Sequence, residues 1–309
     1  MKRLVQAMLA LAMLAHGAAP AAPRCAITAP VLASWRTLNG ALLEYEPGQR
    51  LAPVFQIFLA PVALAARGNW LWVADAGQRK VFLLDQARPV MFAIPDYLAQ
   101  AVTAMLAGPD LSLYVADSAA RRVLRFGFDG RAMPGYADAA RMARPVGLAF
   151  DQAQANLLVA DNLYRQVLVF GRLGQLREVL PAGAARSIDA MAQGPDGLYL
   201  VDRVRRQVVV IGADGAERYA FGQGTLGMPG KIAVDRHNRV FVSDEQDQTI
   251  KVYANGSLVD AGQASSKARF VQIAGLALDQ DILYVADRAN GRIVLLRIAP
   301  PCAPGDGDD

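Results

Sequence analysis

Short hydrophobic runs alternate with polar turns along most of the chain, and one arrangement of them recurs six times. A run of aliphatic and aromatic residues ends at an aspartate, a polar turn follows, and the sixth residue after the aspartate is Val or Ile. Successive aspartates are 41 to 44 residues apart. The repeated aspartates are Asp75, Asp117, Asp161, Asp202, Asp244 and Asp287. Two short β-rich runs across a polar turn predict a β-hairpin in each copy.

A strand-rich repeat of about 42 residues has the length of one four-stranded blade of a β-propeller. Turn signals follow the second run in most copies and predict a second hairpin. They are Asp129-Gly130, Gly174, Asp214-Gly215 and Asn255-Gly256. Strands rich in Gly and Ala precede each hairpin, as expected where strands crowd around the axis. The sequence therefore predicts an all-β fold, a six-bladed β-propeller.

These repeats resemble the NHL repeat, in which a strand ending in Tyr-Val-Ala-Asp is followed by an Asn-x-Arg-Ile turn. The last copy matches this pattern most fully and reads Asp287-Arg288-Ala289-Asn290-Gly291-Arg292-Ile293. The resemblance spans about residues 60 to 300 and implies a member of this six-bladed propeller family, which the N-terminal leader described next makes an exported bacterial one. It does not imply one function, because the family includes enzymes, protein-binding modules and RNA-binding modules.

The N-terminus resembles a secretory leader. Lys2 and Arg3 precede an apolar run over residues 4–15, and small residues follow at 17–22. This run is too short to span a bilayer, so we expect no integral membrane span. We predict a signal peptide over residues 1–21, a single propeller domain over 22–302 and an acidic disordered tail over 303–309. The expected location is periplasmic or secreted.

The last copy ends soon after Leu296, before an outermost strand can form. Residues 35–58 contain strand-like segments, so we expect an N-terminal strand to complete the last blade and close the ring. Closure would bring together the two cysteines, Cys25 and Cys302, and an oxidising compartment favours a disulfide between them. Two unpaired thiols are the alternative, and Arg24 disfavours lipidation of Cys25.

The inventory of reactive residues is small. The repeated aspartates occur in every copy, so we interpret them as turn-capping scaffold residues. The two histidines are His16, in the leader, and His237, which excludes a histidine-built zinc site. The sequence has no Gly-x-Ser-x-Gly and no P-loop motif. We expect no cofactor, although a calcium-dependent hydrolase, lactonase or lyase with its site at the axis is an alternative.

Basic residues concentrate in the turns after the repeated aspartates, which we expect on one face of the ring. They are Arg79, Lys80, Arg121, Arg122, Arg165, Arg203, Arg205, Arg206, Arg288 and Arg292. The fifth copy has Glu245 and Asp247 instead. Of the 32 basic residues 27 are arginine, whose planar fork suits carboxylates and phosphates. A solvated face that serves only solubility is the alternative.

Lys231 also departs from the repeat, since the matching inner-strand residues are Gly or Ala in other copies. We expect Lys231, Asp189 and Arg186 either to converge at the channel mouth or to form structural pairs, with each other or with a neighbouring blade.

The leading hypothesis is a non-enzymatic scaffold that binds an acidic protein, peptide or polysaccharide. We expect no nucleic-acid partner, because the net charge of +4, which includes the leader, is too small to indicate one. The candidate binding residues are Arg121, Arg122, Arg165, Arg203, Arg205, Arg206, Arg288, Arg292, Lys231, Asp189 and Arg186.

Overall fold

A computed structural model describes residues 32–43, 54–88, 90–94, 101–151 and 155–300. Cys25, Cys302, the leader and the acidic tail lie outside the described residues, so the disulfide, the signal peptide and the tail stay predictions. In chain order the elements are β1 (Leu32–Leu38), β2 (Gly40–Leu43), β3 (Val54–Ile57), β4 (Pro61–Arg67), β5 (Trp70–Asp75), β6 (Lys80–Asp85), β7 (Val90–Ala93), β8 (Val102–Ala107), β9 (Leu113–Asp117), β10 (Arg122–Phe126), β11 (Ala132–Tyr136), β12 (Pro145–Asp151), β13 (Asn156–Asp161), β14 (Gln166–Phe170), β15 (Leu176–Pro181), β16 (Ala190–Gly194), β17 (Gly197–Asp202), β18 (Gln207–Ile211), β19 (Glu217–Phe221), β20 (Pro229–Val234), β21 (Arg239–Asp244), β22 (Thr249–Ala254), β23 (Ser257–Asp260), α1 (Gln263–Ser266), β24 (Ile273–Asp279), β25 (Ile282–Asp287) and β26 (Arg292–Ile298).

The strands form six sheets, one for each copy of the repeat. Blades 2 to 5 are the consecutive antiparallel sheets β8–β11, β12–β15, β16–β19 and β20–β23, blade 1 contains β4–β7, and blade 6 contains β24–β26. Each inner strand contacts the inner strand of the next blade. Because β24 of blade 6 also contacts β4 of blade 1, the six inner strands close into a ring. The predicted six-bladed β-propeller is confirmed.

The N-terminal strands divide between two blades. β1 pairs antiparallel with β26, from Leu38 opposite Ile293 to Leu32 opposite Ile298, and is the outer strand of blade 6. We predict the outer strand of blade 6 within residues 35–58, and β1 overlaps only the start of this range. Later in the range lie β2 and β3, which instead extend blade 1, with β2 parallel to β7. Both segments are β-rich, and their local pattern does not specify which exposed sheet edge they join.

In blades 3 and 4 the middle strands are almost entirely buried, whereas the outer strands β15 and β19 are mostly exposed. Their aliphatic side chains pack between adjacent blades, so the core lies between the sheets. Trp72 fills the space between blades 1 and 2, and Trp70 makes an edge contact with Phe128 at 4.8 Å between ring centroids. The predicted outer hairpin turns are confirmed, since Gly130, Gly174, Gly215 and Gly256 all have positive φ.

The repeated aspartates have the predicted scaffold role. All six are at most 1% exposed. Asp161 accepts hydrogen bonds from the Ala143 and Arg144 N–H groups in the loop that enters the inner strand, at 2.7 and 2.6 Å. It also accepts one from the Tyr164 N–H in the following turn at 2.9 Å. Equivalent bonds from the entering loop recur in every blade. Each aspartate therefore fixes a turn against the start of an inner strand.

Candidate functional site

The turns after the six aspartates, with the loops that enter the inner strands, form what we call the aspartate-turn face. The fourth residue after each aspartate has left-handed backbone geometry in every blade, with φ between 52° and 56°. These residues are Arg79, Arg121, Arg165, Arg206, Gln248 and Gly291. Glycine adopts this conformation without steric cost, and among other residues Asn and Asp are the most tolerant. Blades 1 to 4 nevertheless place an arginine there.

We call Arg79, Arg121, Arg165 and Arg206 the turn arginines. All four side chains are exposed. Within the described part of the chain, none of them forms an ion pair or a side-chain hydrogen bond. Their guanidinium groups therefore remain available to a partner, although their backbone conformation is unfavourable for a side chain of this size.

Other arginines of this face have structural partners. Arg292 pairs with Asp287 at 2.9 Å and donates to the Ala268 and Arg269 carbonyls. Arg205 donates to the Ala184 carbonyl at 3.1 Å. These two residues tie turns to neighbouring loops, which makes them weaker binding candidates than the sequence alone indicates.

The remaining basic candidates differ in exposure. Arg122 and Arg288 have exposed side chains in the turns of blades 2 and 6. Arg203 is half-buried and pairs with Glu245 of blade 5 at 2.8 Å between nitrogen and oxygen. Arg186 contributes its backbone N–H, which donates to Asp202 at 2.8 Å. The predicted arginines therefore divide into residues with exposed side chains and residues that already bond to another part of the protein.

Lys231 projects into the narrow axial channel, a space of about 60 Å³ between the inner strands. Its Nζ donates to the Thr103 carbonyl of blade 2, on the opposite side of the ring, at 3.2 Å. Burial lowers the pKa of Lys231, and the charges of Glu245 and Asp189 act in the other direction. Lys231 therefore bridges opposite blades and narrows the channel.

Asp189 lies immediately before β16, near the same channel mouth. It accepts hydrogen bonds from the Ser187 hydroxyl at 2.6 Å and from the Arg203 N–H at 3.3 Å. No ion pair joins Asp189 to Lys231 within the described residues. The charged groups at the mouth are Lys231, Asp189, Arg203 and Glu245, and the sequence analysis did not include Glu245 in this group.

A second cavity of about 950 Å³ opens on the opposite face of the ring. Six apolar side chains, one from each inner strand, line both this cavity and the channel. They are Leu64, Met105, Leu148, Met191, Ile232 and Leu276. This apolar ring forms the floor of the cavity and separates it from the aspartate-turn face.

Arg125 lines this cavity and was missed by the sequence analysis. Two residues after the repeated Val or Ile, the other five blades have buried aliphatic residues, namely Leu83, Val169, Val210, Val252 and Leu295. Blade 2 has Arg125, which pairs with Asp110 at 3.0 Å and lies 5.4 Å from the centre of the Tyr114 ring. Aligning the third strands of the repeats would have revealed this exception.

The described residues contain neither a metal-ligand cluster nor a membrane-spanning helix. They contain no group of three or more His, Cys, Asp or Glu residues arranged to hold a metal ion. His237 is exposed in the turn between β20 and β21, where its Nε2 accepts a hydrogen bond from Arg236 at 3.0 Å. Over the same part of the chain, no helix has the length and apolar character needed to cross a membrane.

Comparison with known proteins supports the fold. No protein-family model matches the chain, and no curated protein matches its sequence, so the NHL resemblance stands on the repeat motifs. The chain is similar to a catalytically inactive histidine-to-alanine variant of virginiamycin B lyase from Staphylococcus aureus, solved with quinupristin. The TM-score is 0.60 at 11% identity, over 86% of this chain and 100% of that chain. A streptogramin B lyase structure has a TM-score of 0.60 at 12% identity, over 88% of this chain and 100% of that chain. At these identities the similarity shows a shared propeller fold.

Proposed function

We propose that this protein is a non-enzymatic binding propeller, exported to the periplasm or secreted, whose turn arginines engage an acidic partner. The observation that supports this most strongly is the arginine in the left-handed turn position of four consecutive blades. Local backbone preference favours glycine at that position, as in Gly291 of blade 6. A functional requirement for the guanidinium explains why four blades depart from this preference.

The fold arranges these four side chains in an arc. Equivalent positions of successive blades lie at similar distances from a propeller axis, so four consecutive blades present four guanidinium groups in sequence. Each planar fork can bind a carboxylate through two parallel hydrogen bonds. A single exposed ion pair contributes only about 0.2 to 1 kcal/mol, so useful affinity requires several contacts at once. The arc is therefore suited to an extended chain with repeated acidic groups, such as an acidic peptide or polysaccharide.

Blade 5 ends the arc. Its turn contains Glu245 and Asp247, and the left-handed position is occupied by Gln248. Glu245 pairs with Arg203 of blade 4, and Asp247 lies 3.4 Å from Lys251. An acidic chain would meet like charge at this blade, which confines its binding to blades 1 to 4.

The alternative is a calcium-dependent hydrolase, lactonase or lyase with its site at the axis. It is motivated by the lyase neighbours and by the charged group at the channel mouth. In the staphylococcal lyase, a histidine-to-alanine variant is inactive, whereas the described residues here include one histidine, His237, exposed in a turn. A thermal melt with calcium and then with a chelator tests the alternative, which predicts a higher melting temperature with calcium and its reversal by the chelator.

The binding proposal is tested by neutralising the arc without changing its backbone. Gln248 shows that glutamine occupies the same left-handed position in blade 5, so all four turn arginines are replaced by glutamine. The probe is a fluorescent oligoglutamate peptide, with oligogalacturonate as the polysaccharide arm. We expect salt-sensitive binding of at least one probe by the wild type and at least a ten-fold weaker affinity in the variant.

A matched control separates the arc from net charge. Four exposed arginines from other parts of the ring are replaced by glutamine, giving the same loss of charge: Arg88, Arg131, Arg218 and Arg297. We expect this control to keep most of the affinity. Equal losses in the two variants, or no salt-sensitive binding of either probe by the wild type, would overturn the proposal.

A further inference from the structure

We propose that the cavity on the face opposite the turn arginines binds a small aromatic carboxylate, and that Arg125 binds the carboxylate group. This site does not depend on the proposed function, because the apolar ring lies between the cavity and the aspartate-turn face. The proposal rests on the size of the cavity, the identity of its walls and the exceptional position of Arg125.

The cavity has the size and the floor of a ligand site. Its volume of about 950 Å³ lies within the range of about 300 to 1,000 Å³ that is usual for small-molecule pockets. Its floor consists of six aliphatic and methionine side chains from the inner strands. Such a floor favours the apolar body of a ligand, since binding removes apolar surface from water.

Arg125 supplies the polar recognition group. It replaces a buried aliphatic residue of the repeat, and its side chain remains 19% exposed. Asp110 accepts from Nη2 at 3.0 Å, whereas Nε is buried without a hydrogen-bond partner in the described structure. Nε is too deeply buried to reach a ligand, but Nη1 forms no hydrogen bond among the described residues, so it can donate to a second carboxylate.

Aromatic side chains stand beside Arg125. Tyr114 contacts Phe150 edge to face at 5.0 Å and Tyr136 at 5.9 Å between ring centroids. Burial raises the pKa of Tyr136 to about 12, so its phenol is neutral at physiological pH. All three residues line the cavity. An aromatic ligand can pack against this wall by the edge and offset geometries that aromatic pairs prefer.

The charges around the cavity favour an anion over a cation. Arg67 and Arg172 line the rim with exposed side chains, and neither forms an ion pair within the described ranges. Two of the rim carboxylates are already engaged. Asp110 accepts from Arg125 and the Ser112 hydroxyl, and Asp279 accepts from the Gly68 N–H at 2.8 Å. The groups left to interact with a ligand are mainly cationic.

The test compares 1-pyrenebutanoate with the neutral 1-pyrenebutanol, which share the aromatic body and differ in the carboxylate. Fluorescence titrations of the full chain measure both affinities. We expect the wild type to bind the acid at least ten-fold more tightly than the alcohol at low salt. Arg125→Leu should abolish this preference and leave the affinity for the alcohol within about two-fold.

Arg125→Leu is expected to fold, because Leu83 and Leu295 occupy the same position in blades 1 and 6. A thermal melt followed by circular dichroism checks this. The variant with all four turn arginines replaced by glutamine should bind both pyrene probes like the wild type, which distinguishes this site from the arc. No binding of the acid by the wild type, equal binding of the acid and the alcohol, or an unchanged preference in folded Arg125→Leu would overturn the proposal.

Discussion

The base and the tip of the same turn differ in a way that separates stability from binding. At the base, the repeated aspartate is buried in all six blades and accepts hydrogen bonds from the loop that enters the inner strand. Four residues later, at the tip, the backbone is equally constant, but the side chain is Arg in four blades, Gln in one and absent in one. A residue that every blade keeps holds the fold together, and a residue that departs from local preference in some blades is the better functional candidate.

The largest effect is expected at the base. Asp161→Ala removes the acceptor of three backbone N–H groups, two of them at most 2.7 Å from its carboxylate. A hydrogen bond to a charged group contributes about 1.5 to 3 kcal/mol, so we expect a loss of about 4 kcal/mol in the free energy of unfolding. Urea denaturation measures this. Arg165→Ala at the tip of the same turn should change the free energy by less than about 0.5 kcal/mol, and equal losses at the two positions would contradict the distinction.

A slightly smaller loss of stability is expected in blade 5, where a lysine pairs with the repeated aspartate at the base of the turn. Lys251 is buried and donates to Asp244 at 2.5 Å. Burial alone would raise the pKa of Asp244, but hydrogen bonds from Lys251 and from the Gly227 and Met228 N–H groups outweigh it and lower the pKa below 3.8. Lys251→Met leaves this carboxylate without its cation and should cost about 3 kcal/mol at pH 7.

The pH dependence of that variant follows from the lowered pKa. A carboxyl group whose pKa is depressed by folding stabilises the protein above its unfolded pKa, and this contribution is lost as the pH falls through the folded value. The wild type should therefore exceed Lys251→Met in unfolding free energy by its largest amount at pH 7. This difference should shrink as the pH falls below 3.8. A difference that stays constant down to pH 2 would show that Lys251 acts through packing rather than through Asp244.

Much of this comparison was accessible from the sequence. The period, the hairpin turns and the capping role of the aspartates depend on local chemistry, and residues such as Gly130 and Gly215 specify it directly. The partners of Arg203 and Arg292 could not be predicted, because Glu245 and Ala268 lie 42 and 24 residues away along the chain. The signal for Arg125 is present in the sequence as a lone charge within an apolar strand, but it lies outside the turns, where basic residues are concentrated.

The smallest effect on stability is expected at the tip. Glycine adopts positive φ freely but loses more entropy on folding, so Arg165→Gly should raise the free energy of unfolding by between about 0 and 1 kcal/mol. Gln248→Gly in blade 5 is the matched control and should behave similarly, since its φ of 55° is nearly the same. Urea denaturation of both variants measures the effect, and a loss above about 1 kcal/mol in Arg165→Gly would mean that its side chain stabilises the turn.

The most direct test replaces all four turn arginines by glycine and measures the affinity for the acidic probe together with the melting temperature. The account predicts that the melting temperature stays the same or rises while the salt-sensitive affinity falls at least ten-fold, because the arginines serve binding rather than folding. Retained affinity in a folded variant, or a fall in melting temperature comparable with that of Asp161→Ala, would contradict it.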